Sequence, residues 1–226
     1  MKLMKQNRTE HVLPDDSTVC EILLRMERPF QVMAWMMVET AARISDLQAL
    51  RVRDVNRDNK TLLLEQGGVG RMMNLSAGLM DAIDPHLTAL REVFEKNKRW
   101  SFSSRHAASH EVQMFADQLL FPVWMLPGHA RASLHEPVPV AEFVRAIQNA
   151  ASESGYEGMI QSNTLRLFCT LRWLAQGMDV ANLHVLLGHR DMMTTLLMVQ
   201  ALKYGGLTFA SCAESSIAWT SATMVA

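Results

Sequence analysis

A chain of 226 residues is long enough to bury a sizeable core, and ordinary domain sizes allow one domain with a small appendage. Apolar residues at 49% and charged residues at 20% are the proportions of a soluble globular protein, which excludes a disordered chain and a membrane protein. The net charge of −1 argues against adhesion to a polyanion over the whole surface and leaves only local basic patches, in the runs 51–60 and 91–106, whose plain reading is solvated helix faces and loops.

The opening "MKLMKQNRTEHVL" is basic but lacks the apolar segment and cleavage site of a secretory signal, which points to the cytoplasm. "DDSTVCEILLRM" follows, where Asp15, Asp16 or Ser17 caps a helix with Val19, Ile22, Leu23 and Met26 on one face. A second helix over 29–40 is apolar nearly all round and so central, yet far short of the roughly 20 residues that cross a bilayer. Ile44, Leu47 and Leu50 continue at helical spacing. The pattern then changes. "TLLLEQGGVGRMMNL" sets two apolar runs on either side of Gly67, Gly68 and Gly70, which predicts a β-hairpin; no Lys-Ser or Lys-Thr follows to make the glycines a phosphate loop.

Helical period returns over 79–98, then "SFSSRHAASHE" reads as a loop. His106 and His110 in it stand four apart with no third ligand, a polar surface rather than a zinc site. After the short apolar segment "LLFPVWMLPG" and a proline-containing loop, "VAEFVRAIQNAASESG" is a helix stopped by Gly155. "SNTLRLFCTLRWLAQG" has Ser162 or Asn163 as cap and Gly177 as terminator; "DVANLHVLLG" and "RDMMTTLLMVQALKYGG" are further helices closed by glycine. The class is mainly α with a small antiparallel β-sheet. Cys20, Cys169 and Cys212 are widely spaced and read as reduced thiols.

Two arginines stand among apolar residues, where a guanidinium needs a carboxylate or a phosphate. Arg43 follows the all-apolar helix, and Asp46 three residues on is expected to orient it from the same helical face. Arg166 lies between Leu165 and Leu167. Taken singly, each reads as a structural ion pair; together with the Gly188-His189 pair they suggest a site.

"ETAARISDLQALRVRDV" and "NTLRLFCTLRWLAQGMDVANLHVLLGHRDMMTTLLMVQ" resemble the two active-site boxes of the tyrosine recombinases, the phage and integron integrase family, and the run through Gly205-Gly206 is most similar to integron integrases. The resemblance spans about 12–206 and implies a tyrosine-recombinase catalytic-domain fold, a 1–11 extension and a 207–226 tail that packs on a neighbouring copy to give a homo-oligomer. It implies double-stranded DNA as partner, an association with DNA integration and mobile elements, and neither a metal nor another cofactor. The family's helical core-binding domain would have to come from elsewhere, since 1–11 is too short to form it.

In such a site a tyrosine hydroxyl attacks a phosphodiester, two arginines clamp the non-bridging oxygens, histidines donate hydrogen bonds and a hairpin lysine protonates the leaving oxygen. Carried over, Arg43 and Arg166 are the clamp, Asp46 the acidic support and His189 a phosphate donor. Asn163 stands where a histidine is expected, and Gln66 takes the lysine position with Arg71 the nearest cation. Met198 occupies the nucleophile position, and a thioether cannot attack phosphorus. Tyr204 lies six residues on, about 120° short of a whole number of helical turns, and Tyr156 is more remote. The resemblance thus implies a DNA-binding, cleavage-defective domain. The other readings are an active recombinase using Tyr204 or a nucleophile in trans, and an interaction module that no longer meets DNA.

Overall fold

In the computed structural model, residues 13–66, 69–103, 115–128 and 136–204 are described, without the side chains of 66, 97–103 and 203–204. The Asp15 carboxylate accepts the Thr18 backbone N–H and starts helix α1 (Asp16–Arg25), which buries Val19, Ile22 and Leu23. Helix α2 (Phe30–Thr40) has no side-chain cap; burial holds it, with eight of its eleven residues inside. It packs against α1 and against three later helices, α4 (Ala77–Ser103), α5 (Val140–Glu153) and α6 (Ser162–Ala175), which makes it the central element the sequence predicted.

Short helix α3 (Ile44–Ala49) leads through a single 3-10 turn into a three-stranded antiparallel sheet in the order β1 (Val55–Asn56), β2 (Thr61–Gln66), β3 (Val69–Asn74). The expected hairpin is β2 and β3, with Leu64 opposite Arg71 and Gln66 opposite Val69. Strand alternation turns Arg71 and Met73 inward and leaves Met72 outside. Strand β1 is an addition the sequence pattern did not suggest.

Helix α4 begins earlier and ends later than its apolar period, because the Ser76 hydroxyl caps the Leu79 N–H and Glu39 at the end of α2 accepts Ser76's own N–H. His86 on α4 is fully buried and donates from Nε2 to the Leu120 carbonyl at 2.8 Å, which fastens the apolar segment 118–126 to the helix. Its Nδ1 has no partner among the described residues, and burial pushes its pKa down to about 4.

The N-cap of α6 is Gln161, a correction to the expected Ser162 or Asn163, which form its first turn instead. Asp179 caps helix α7 (Val180–Leu187), Gly188 ends it at φ +62°, and α8 (Met192–Tyr204) packs back on α7. Cys20 and Cys169 are free thiols, as expected. Among the described residues, no helix is long and apolar enough to cross a membrane. Residues 1–12, His106, His110, Cys212 and the tail 207–226 lie outside the described residues.

Candidate functional site

Arg166 sits in the second turn of α6, 4% exposed, without a carboxylate partner among the described residues. Its guanidinium donates to the Ala41 carbonyl, to the Leu187 carbonyl at 2.8 Å and towards His189 Nε2 at 3.2 Å. Both carbonyls belong to helix C-termini: Ala41 is the cap of α2, and Leu187 is the last residue of α7 before Gly188. Orphan carbonyls and the negative ends of two helix dipoles therefore replace the missing carboxylate. Burial, then Arg43 and Arg71, bring the Arg166 pKa down to about 10, so it remains a cation at neutral pH.

The Ala41 cap is left-handed, at φ +49°, a conformation that costs an alanine about 1 kcal/mol relative to glycine. It ends α2 and turns the chain so that Arg43 follows at the cap of α3. The expected side-chain pairing of Arg43 with Asp46 is not what forms. One Asp46 oxygen accepts the Arg43 backbone N–H at 3.0 Å and the Arg71 guanidinium at 3.0 Å, in a buried ion pair between α3 and β3. The carboxylate's capping position at α3 fixes it to Arg43's main chain, and the inward-facing Arg71 is the cation that needs it. Among the described residues the Arg43 guanidinium has no hydrogen bond or carboxylate, and the Arg71 Nε–H has no partner.

His189 follows Gly188 and is held by two contacts, Nε2 to Arg166 and Nδ1 to the Thr195 hydroxyl at 2.9 Å. Burial and the neighbouring guanidiniums of Arg166 and Arg43 lower its pKa to about 4, so the imidazole is neutral at pH 7. The same hydroxyl meets His184 Nδ1 at 3.0 Å. Arg71, His184, Gly188, His189 and Arg190 line a cleft of about 390 Å³ between β3 and α7. Arg43, Arg71 and Arg166 thus have one carboxylate nearby, paired with Arg71 alone, next to a cleft that Arg71 lines, an arrangement suited to an anion.

His184 and Thr195 went unnoticed in the sequence. Thr195 had a readable signal, since it is the polar member of the buried stripe Thr195, Val199, Leu202 at i, i+4 and i+7 of α8. His184 offered none, because its partners lie on another helix.

The remaining expected residues make no described hydrogen bond with the arginines. Asn163 is exposed one turn before Arg166 and makes no hydrogen bond among the described residues. Met198 packs, half-buried, against the cluster of Ala41, Cys169, Leu183 and Leu187. Tyr156 packs on the core beyond α5, where burial raises its hydroxyl pKa. The side chains of Gln66 and Tyr204 lie outside the described residues. No group of three or more His, Cys, Asp or Glu able to hold a metal occurs among the described residues.

The chain matches XerA recombinase over 83% of its own length and 59% of that chain, with a TM-score of 0.57 at 14% identity. XerH site-specific recombinase bound to difH substrate matches over 86% of this chain and 53% of that one, with a TM-score of 0.56 at 16% identity. The fold is therefore that of the tyrosine recombinase catalytic domains.

The sequence profile of the phage integrase family matches residues 19–201, and the chain belongs to that family. An integrase/recombinase of Escherichia coli is 25% identical over 209 residues, 85% of this chain and 60% of the relative. The chain thus spans about 60% of that relative's length.

Proposed function

We propose that the chain is a DNA-binding catalytic-type domain of site-specific recombination that grips a backbone phosphate without cutting the strand. The observation that carries this reading is that Arg166 lies within electrostatic reach of Arg43, Arg71 and the single carboxylate Asp46, next to a cleft that Arg71 and His189 line. Forked guanidiniums are the donors that match a phosphodiester, and one carboxylate beside three guanidiniums leaves surplus positive charge for an anion to offset. His189 adds a neutral imidazole beside them. An integrase of the same fold, that of the Tn1549 transposon, has been solved in complex with transposon right end DNA, which supports double-stranded DNA as the partner.

Cleavage is lost at the nucleophile. Met198, three residues beyond the His189-bonded Thr195 on α8, occupies the position that the resemblance assigns to the nucleophile, and its thioether cannot attack phosphorus. Tyr204 on that helix is rotated about 120° from it. Gln66 in place of a lysine removes the acid for the leaving oxygen, and Asn163 contributes at most a hydrogen bond. The domain runs over 12–206, resembles integron integrases in pattern and acts in the cytoplasm.

Two assays test the reading. At low salt a labelled 20-base-pair duplex binds the chain, and Arg43→Ala and Arg166→Ala each weaken it; unchanged affinity in both variants, or no binding at all, overturns the phosphate grip. A nicked suicide substrate yields no covalent adduct with the natural chain. An adduct that disappears in Tyr204→Phe would instead establish an active recombinase.

A further inference from the structure

Thr195 is fully buried, yet its hydroxyl is used differently from those of three other helical threonines. Thr40, Thr88 and Thr170 each donate to the carbonyl four residues earlier, on Met36, Asp84 and Arg166. Among the described residues Thr195 has no such carbonyl; it is shared by two imidazoles from outside its own helix, His189 Nδ1 at 2.9 Å and His184 Nδ1 at 3.0 Å.

The direction of this chain follows from one fixed end. Arg166 Nη2 only donates, so His189 Nε2, 3.2 Å away, is the lone-pair nitrogen. The proton of neutral His189 therefore sits on Nδ1 and is donated to the Thr195 oxygen. The Thr195 hydrogen then has His184 Nδ1 as its acceptor, which leaves the His184 proton on Nε2. Both histidines border the same cleft.

An anion in that cleft needs the opposite arrangement, an N–H on His189 Nε2. We propose that Thr195 and His184 are positioning residues that receive the His189 Nδ1 proton, which Arg166 holds there in the ligand-free chain, and that an entering phosphate takes over the Arg166 Nη2–H and reverses the chain so that His189 donates from Nε2. The exchange balances. A proton from cleft water joins His189 Nε2, the Nδ1 proton passes to Thr195, the Thr195 proton passes to His184 Nδ1, and His184 Nε2 releases one to water. His189 becomes a donor without becoming a cation among three guanidiniums. The reversal rests on the phosphate-binding reading of the cleft, whereas the tautomer of the ligand-free chain does not.

Long-range proton–nitrogen NMR reads the tautomer directly. In the ligand-free chain His189 is protonated at Nδ1, and a saturating 20-base-pair duplex moves the proton to Nε2. In ligand-free Thr195→Val the Arg166 contact still keeps the proton on Nδ1, but the duplex no longer moves it to Nε2 and binds about tenfold more weakly, the worth of one charge-assisted hydrogen bond. Thr195→Ser restores both.

If Thr195→Val does not fold, His184→Phe at its half-buried position cuts the same chain and shows the same loss of duplex affinity. Overturning results are a ligand-free His189 already protonated at Nε2, or a folded Thr195→Val in which the duplex still moves the proton to Nε2 with affinity unchanged. Should Arg43→Ala and Arg166→Ala leave duplex binding intact, the phosphate grip fails while the ligand-free spectrum still decides the positioning role.

Discussion

The two sides of the cleft solve the problem of a buried arginine in different ways. On the side built from α3 and β3, Arg71 is paired with Asp46, and the same carboxylate caps the main chain at Arg43. On the side built from α6 and α7, Arg166 has only the carbonyls of two helix ends and a neutral imidazole. The first side is compensated internally and acts as frame. The second keeps an unneutralised charge, and its cost is registered in the depressed pKa of both Arg166, about 10, and His189, about 4. Stability should thus depend most on the first side and anion affinity most on the second.

Asp46→Ala breaks the framing side and should have the largest effect, about 4 kcal/mol of stability lost, since it strands the buried Arg71 guanidinium; denaturant unfolding measures it. The double variant Asp46→Ala, Arg71→Leu should recover much of that loss. Next comes an acid test of the frame away from the cleft. His86 has a folded pKa of about 4 against an ordinary 6.5, so it stays neutral when folded and takes up a proton when unfolded. Its contribution is complete above pH 6.5 and is lost as the pH falls through 4, about 3 kcal/mol in all; His86→Gln should flatten unfolding midpoints measured across that window.

Arg166→Ala tests the other side. Duplex affinity at low salt should fall about a hundredfold, as expected for losing a forked phosphate contact, with a smaller loss of stability, about 1–2 kcal/mol, from the two unbound carbonyls. An affinity loss no greater than that of an exposed-surface arginine variant would erase the contrast between the sides. Ala41→Gly should have the smallest effect and the opposite sign, a gain of about 1 kcal/mol in thermal unfolding, because glycine accepts the left-handed cap without strain.

Local chemistry made much of this legible in the sequence. The α2 core, the hairpin and the glycine ends of α6 and α7 depend on neighbours in the chain, and their residues announce them. Arg43, Arg166 and His189 stood out as polar groups in apolar surroundings. The pairing of Asp46 was misjudged because the i,i+3 rule compares residues on one helix, whereas its guanidinium partner is 25 residues away on a strand. Alternation along β3 places Arg71 inward beside Met73, so that arginine was readable as buried even though its partner was not. The Thr195 bridge between two histidines depends on how α7 and α8 pack, which no local pattern states.

His86 and His189 both titrate near pH 4, the first through burial with a carbonyl partner, the second through burial beside guanidiniums. Following both imidazoles by NMR across pH, with and without the duplex, tests the phosphate grip most directly. An anion among the arginines offsets their charge, so the His189 pKa should rise while that of His86 stays where it is. A duplex that binds and leaves His189 unmoved would contradict the account.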